Sequence, residues 1–404
     1  MRRTLPLLFL PLFCFLLLSA FAPYVTHTVT VRIDGETLDG REIRTEASHY
    51  LRVKSAGGYE RLYAKLRRKY TPKESLNYLG VGLGDYLSAE CERRTVDPLD
   101  ATLEWTAKTS DPFIYYKERA GRQADLDETG RKVARAMDIG GVAEVFSKEI
   151  APDVTVTSLK ARTALMGEYA TTFTTSGENR RHNIALAAAA VNGTVLEPNE
   201  VFSFNAVVGE RTAERGFRSA NVIVQGEYKK GVGGGVCQVS TTLYNAVLLA
   251  GIDPLHAAAH SRPVSYAEAS RDCTVSSVTD FTFVNTTPAP LYLAAEVKGS
   301  TLTFRLFGLR GEGTYALKSE IVERIPFRCV DESGAVLEDL SERTLLKAGR
   351  EGVASVLYRT HTVGGVSTTV PIRENRYPPK DAVYSAVRTP PSGAESSEGA
   401  SRQT

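Results

Sequence analysis

The 404-residue chain is short of net charge, paired cysteines and nucleotide motifs, and each shortage narrows what it can do. Forty-nine Lys and Arg stand against 47 Asp and Glu, leaving +2. A nucleic-acid binder that works by displacing phosphate counterions needs a clear cationic excess, so that class is disfavoured. No Cys-x-x-Cys pair occurs, so a structural zinc has no ligands at the usual spacing. No glycine loop ends in Gly-Lys-Ser/Thr, which removes a P-loop. His256 and His260 are four apart, but Pro254 opposes the helix that would bring them together. Neither a metal nor a cofactor is therefore expected. Outside the N-terminal run the cysteines are Cys91, Cys237, Cys273 and Cys329, too widely and irregularly spaced to specify a disulfide framework. No internal repeat is present.

What remains is a chain long enough for two or three compact units. Arg2 and Arg3 precede an apolar run from Leu5 to Leu18, and Ala20-Phe21-Ala22 offers small residues at a cleavage site. The expectation is an exported protein whose residues 1–22 are a signal peptide or an N-terminal anchor, since the run is near the lower length limit for spanning a bilayer. Residues 23–161 are expected to form a small α+β module. Thr28–Ile33 alternates as a strand does and stops at Asp34-Gly35; a basic helix follows over Tyr59–Tyr70. Ala101–Trp105 and Pro112–Glu118 read as paired strands, Asp127 as the cap of a helix over Glu128–Met137, and Ala143–Leu159 as extended chain. Trp105, the one tryptophan, suits a core position better than a sugar-stacking platform. The tail 388–404 has too few large apolar side chains to offset the entropy of ordering it.

From Arg180 the composition changes. An alanine-rich helix over Asn183–Val191 is stopped by Asn192-Gly193, strands follow, and one apolar helix spans Val239–Ala250. Between them lies Gly231-Val-Gly-Gly-Gly-Val-Cys-Gln-Val-Ser240, a glycine-rich loop that delivers Cys237 to a helix start. Unpaired N–H groups at a helix N-terminus favour a thiolate there. His260 and then Asp272 or Asp280 come later, the order of nucleophile, base and orienting carboxylate that a thiol acyl-transfer site requires. The candidate catalytic residues are thus Cys237, His260, Asp272 and Asp280, with Gly233, Gly234, Gly235, Gln238 and Arg211 as candidates for holding substrate. A buried, inert cysteine in a tight turn is the competing reading, and with it a protein that binds without catalysing.

The runs Asn179-Arg-Arg-His-Asn183, Val201-Phe-Ser-Phe-Asn205, Gly209-Glu-Arg-Thr212, Gly233-Gly-Gly-Val-Cys-Gln-Val-Ser-Thr-Thr-Leu-Tyr-Asn-Ala246, His260-Ser261, Arg271-Asp272 and Asp280-Phe-Thr-Phe-Val-Asn285 resemble the VanW family. That family is named for an accessory protein of vancomycin-resistance gene clusters, mainly in Gram-positive bacteria. The resemblance implies an α+β protein with a VanW domain over 162–310, in which one apolar helix packs on antiparallel strands. Residues before it, notably Phe113–Gly121, are similar to a peptidoglycan-binding module, and Val356–Pro371 faintly to the wall-associated G5 module within a β-rich extension over 311–387. What it implies in function is a peptidoglycan-binding envelope protein, in the wall or on the outer face of the membrane, that modifies wall peptides through Cys237 or serves as a non-catalytic adaptor. The chain departs from the family pattern at Ser270, where glycine is usual, and at Cys273, where alanine is. Gln225 is too far from Cys237 for the sequence to assign it as the oxyanion-hole glutamine of papain-like enzymes.

Overall fold

The computed structural model describes residues 29–38, 58–107, 112–224 and 227–385; the apolar run at 1–22, Gln225 and the tail 388–404 lie outside the described residues. The architecture is α+β. Among the described residues no helix is long and apolar enough to cross a membrane. The chain divides into two compact units, one drawn from Met1–Thr102 and Tyr116–Val156, the other from Leu103–Tyr115 and Thr157–Thr404.

In the first unit the alternating strand Val29–Ile33 buries Val29, Val31 and Ile33 and pairs in parallel with Gly141–Val145. Asp34 and Gly35 turn the chain with φ of 52° and 82°. The basic helix is shorter than its charge pattern predicts, running Gly58–Leu66. A new helix, Pro72–Leu79, starts where Thr71 and Glu74 form a reciprocal capping box and proline takes the first helical turn. The next expected helix begins earlier, at Leu126, because Asp125 rather than Asp127 accepts the orphan N–H groups of Asp127 (2.8 Å) and Glu128 (3.1 Å). Asp127 is left free to pair with Arg67 at 2.6 Å. Part of the basic face is therefore spent inside the unit. Residues 143–159 are not one extended run: strands Gly141–Val145 and Lys148–Ile150 give way, past Pro152, to a helix Val156–Arg162.

The second unit takes in Trp105 and runs to the last described strands. Trp105 is a packing residue: its indole N–H donates to the Gly193 carbonyl at 3.1 Å and its ring lies 4.9 Å from Phe113 and 5.2 Å from Tyr292. In chain order the elements that build the core are β1 (Ala164–Thr172), α1 (Glu178–Val191), β2 (Val195–Leu196), β3 (Ser219–Val224), β4 (Glu227–Val232), α2 (Val236–Leu249), β5 (Leu291–Lys298), β6 (Thr301–Gly308), β7 (Thr314–Ile325), β8 (Gly352–Val363) and β9 (Val366–Tyr377). An antiparallel sheet in the order β1-β6-β5-β2 carries α2 and α1. β6 alternates partly exposed and buried residues along its length, burying Leu302, Phe304 and Leu306. The helix lies close on this sheet because β1 presents Gly167, whose added Cβ would sit 2.4 Å from the Ala246 carbonyl oxygen. β3 and β4 form a separate hairpin, and β7, β8 and β9 form a sheet in the order β7-β8-β9. The hairpin between β8 and β9 turns on Gly364 and Gly365, both at positive φ. Leu357 of β8 joins the same buried cluster as Val239, Leu243 and Phe304, so this later sheet shares one core with the earlier one.

Candidate functional site

α2 begins three residues earlier than its apolar pattern predicts, at Val236, and every residue in it except Cys237 and Leu249 is buried. A helix buried all round is an ordinary core element. Cys237 is its one opening near the start. Gly235 caps that start at φ 111°, a left-handed region that glycine enters without strain, and Gly233 does the same at 84°. Val236 and Gln238 donate their N–H groups to the carbonyls of Gly233 (3.2 Å) and Gly235 (3.0 Å), whereas the Cys237 N–H has no acceptor among the described hydrogen bonds. It is an orphan donor of the helix end, on the same residue as the thiol.

The polar side chains on α2 explain how the carboxylate reaches the site. Ser240 Oγ donates to the Cys273 carbonyl at 2.7 Å, Thr241 Oγ1 accepts from the Cys273 N–H at 2.9 Å, and Asn245 binds Arg271 through its carbonyl (2.8 Å) and its guanidinium (2.9 Å). These buried bonds clamp residues 271–273 along the helix. Each is worth roughly 0.5–1.5 kcal/mol net, and leaving a partner bare costs more, about 1–3 kcal/mol. Asp272 is thereby fixed between them, and its Oδ2 accepts both the His260 main-chain N–H and Nδ1 of its ring, each at 2.7 Å. With Nδ1 committed to Asp272, the other side of the imidazole serves the Cys237 thiol, with which it interacts.

The structure therefore gathers Cys237, His260 and Asp272 and puts Asp280 elsewhere. Asp280 accepts from Ser203 Oγ (2.6 Å), Asn205 N (2.9 Å) and Phe281 N (2.7 Å), holding the turn into a short helix Phe204–Val208. Gln238 is buried and donates to Thr171 and Thr172 while accepting from Arg180 at 2.7 Å. It braces the cleft wall. Gly233, Gly234 and Gly235 line the cleft, and a Cβ on Gly234 would meet the Asn221 carbonyl at 2.5 Å. The glycines hold the loop against its neighbours as well as shaping the opening. Between Ser261 and Val284 the chain forms one strand, Thr282–Val284. Side-chain clamps take the place of a ladder in carrying His260 and Asp272.

Burial alone would push the Cys237 thiol up. The hydrogen bond and positive charge of His260 outweigh it, with smaller help from Val275 and Thr274, and bring its pKa down to about 7. For His260, burial opposes the imidazolium, but Asp272 and the thiolate raise its pKa to about 9. Burial likewise works against the Asp272 carboxylate, which His260 and Tyr377 hold below the usual range. These shifts favour a thiolate beside an imidazolium between about pH 7 and about pH 9.

Residues that sequence reasoning left unassigned complete the support. Tyr377, at the end of β9 and fully buried, donates its hydroxyl to Asp272 Oδ1 and accepts the Ser270 N–H at 2.7 Å. Arg373, also on β9, donates to the Asp272 carbonyl at 2.7 Å. Ser270 has φ of 65°, which accounts for the glycine usual there. Here its hydroxyl pairs with Ser355 at 2.7 Å and with the Asn375 amide at 2.9 Å, so hydrogen bonds compensate the strain.

The thiol and His260 open onto a cleft of about 1240 Å³, walled by the Thr174–Arg180 approach to α1, the β3–β4 hairpin, Arg211 and Thr274–Ser277. Among the described residues no cluster of metal-ligating side chains occurs.

Residues 179–307 match the family described as VanW like protein. Among curated proteins, the uncharacterized protein YoaR of Bacillus subtilis (strain 168) is 45% identical over 146 residues, covering 36% of this chain and 48% of that protein. Vancomycin B-type resistance protein VanW of Enterococcus faecalis (strain ATCC 700802 / V583) is 33% identical over 67 residues, 17% of this chain and 24% of that protein. The chain matches less than half the length of either relative. A solved structure described as the crystal structure of HP0197-G5 aligns over 18% of this chain and 95% of its own, at 19% identity and a TM-score of 0.12, too low to carry weight. The matched segment holds the whole glycine loop, Cys237, His260 and Asp272, so the site lies within a VanW-like domain over residues 179–307.

Proposed function

We propose that the protein is an envelope enzyme that breaks or exchanges an amide bond of a peptidoglycan stem peptide through a Cys237 thioester, in the setting of glycopeptide resistance that the name of its enterococcal relative describes. The observation that carries this reading is the thiolate-imidazolium pair at a helix start, oriented by Asp272 and open to a cleft. In the first step the thiolate attacks the amide carbonyl carbon, and the oxyanion formed faces the free Cys237 N–H. The imidazolium then gives its proton to the departing amine as the C–N bond breaks, leaving a thioester and neutral His260. Water or an acceptor amine attacks that thioester, His260 takes the attacking group's proton, and the thiolate leaves. Asp272 keeps Nδ1 protonated throughout, which fixes the tautomer.

Adhesion to the wall by the first unit, and a location outside the cytoplasmic membrane, belong to the same proposal and rest on the N-terminal run and the resemblance of residues before 161. Incubating the purified protein with isolated stem peptides and reading intact mass tests the chemistry. A peptide adduct on the wild type that is absent from Cys237→Ala supports it. Unchanged peptides and no adduct, over pH 6 to 9, would overturn it and leave a wall-binding adaptor.

A further inference from the structure

Arg211 stands out among the charged groups of the cleft because so little of it is used. Its stem lies against the nucleophile loop, where a Cβ on Gly233 would come within 2.8 Å of Arg211 Cβ, and its guanidinium sits 5.7 Å over the Phe204 ring. The group is half-buried and held in place from two sides. Of the five N–H donors a guanidinium carries, a single described hydrogen bond is made, to Asn205 Oδ1 at 2.6 Å, and among the described residues Arg211 has no ion pair. The nearby negative charges are the Cys237 thiolate and Asp280, and the latter already accepts from Ser203, Asn205 and Phe281. Two other carboxylates line the cleft, Glu178 and Glu210, both exposed, and Glu178 pairs with Arg218 at 3.4 Å. Lys230 of β4, which also lines the cleft, makes no described ion pair.

A planar donor fork, preorganised beside a nucleophile with most of its donors unspent, suits a carboxylate better than a neutral amide. We infer that Arg211 clamps a carboxylate carried by the substrate close to the bond that Cys237 attacks, so that the cleft selects anionic peptides over neutral ones. The inference deepens the proposed function and rests on it for the word substrate, but the anion preference itself can be read without any peptide.

The test is to alkylate the full-length protein with iodoacetate and with iodoacetamide, which attack the same thiolate and differ in one carboxylate. Glutathione at matched thiolate concentration is the reference. The ratio of the iodoacetate to the iodoacetamide rate should exceed the reference at least threefold at low ionic strength. In Arg211→Gln it should fall at least threefold, while the iodoacetamide rate stays within about twofold, and Arg211→Lys should restore part of it. Lys230→Gln should move the ratio less than Arg211→Gln. A wild-type ratio at or below that of glutathione overturns the inference, and this holds even if the Arg211 variants do not fold. A raised ratio that Arg211→Gln leaves unchanged assigns the attraction to the imidazolium and also overturns it. Slow reaction with both reagents in the wild type counts instead against the activated thiol of the proposed function.

Discussion

Cys237 and Cys273 belong to one core and are opposite in chemistry. Cys273 is wholly buried, and burial pushes its thiol far above the ordinary range; its main chain is what matters, because Ser240 and Thr241 grip it to place Asp272. Cys237 also loses solvation, but a helix end and His260 favour its charge, and its thiol falls to about 7. Position on the helix and one charged neighbour, rather than the presence of sulfur, decide which thiol ionises more readily.

The largest effect to look for is therefore between the two thiols. At pH 7.5 iodoacetamide should label Cys237 at least about a thousandfold faster than Cys273, whose thiolate fraction is negligible there, measured by peptide mapping. Equal labelling would break the contrast. Removing the imidazole comes next. Thiolate absorbance should appear as pH rises through about 7 in the wild type and only near or above the ordinary 9.0 in His260→Ala. The thiolate fraction at pH 7 should then drop roughly fiftyfold, since each pKa unit is a factor of ten in that range. An unmoved titration would show that His260 does not charge the pair.

Smaller is the loss of the support from β9. Tyr377→Phe strips a donor from Asp272 and an acceptor from Ser270, both buried, and should cost about 1–3 kcal/mol in urea unfolding. Cys273→Ala should cost stability without moving the Cys237 titration. Smallest of all at the thiol is Asp280→Asn, which disturbs the turn at Ser203–Asn205 and should leave the thiol pKa within a few tenths of a unit. A larger shift would return Asp280 to the candidates for orienting His260.

Local chemistry made the reactive half of the site legible. Glycines before a cysteine at a helix start are a local signal, and so is the alternation over Thr28–Ile33, which forms the strand Val29–Ile33. The choice between Asp272 and Asp280 was not local, since both follow His260 at short range and only the grip of Ser240, Thr241 and Asn245 on residues 271–273 separates them. Tyr377 carried no signal at all. It is 105 residues from Asp272, on a hairpin whose own pattern speaks only of strand pairing. Helix ends were displaced by two or three residues where a neighbouring aspartate capped better, as at Asp125, or where glycines allowed an earlier start, as at Gly235.

The span of that tyrosine contact also sets an order in time. A chain made from its N-terminus presents Cys237, His260 and Asp272 well before β9 exists. At about 5–20 residues per second, the 105 residues to Tyr377 take roughly 5–20 s. During that interval Asp272 lacks the hydroxyl that holds it and Ser270 lacks the acceptor that steadies its left-handed backbone. The nascent chain carries this site unfinished, and β9, whose Tyr377 comes 105 residues after Asp272, is the strand that completes it.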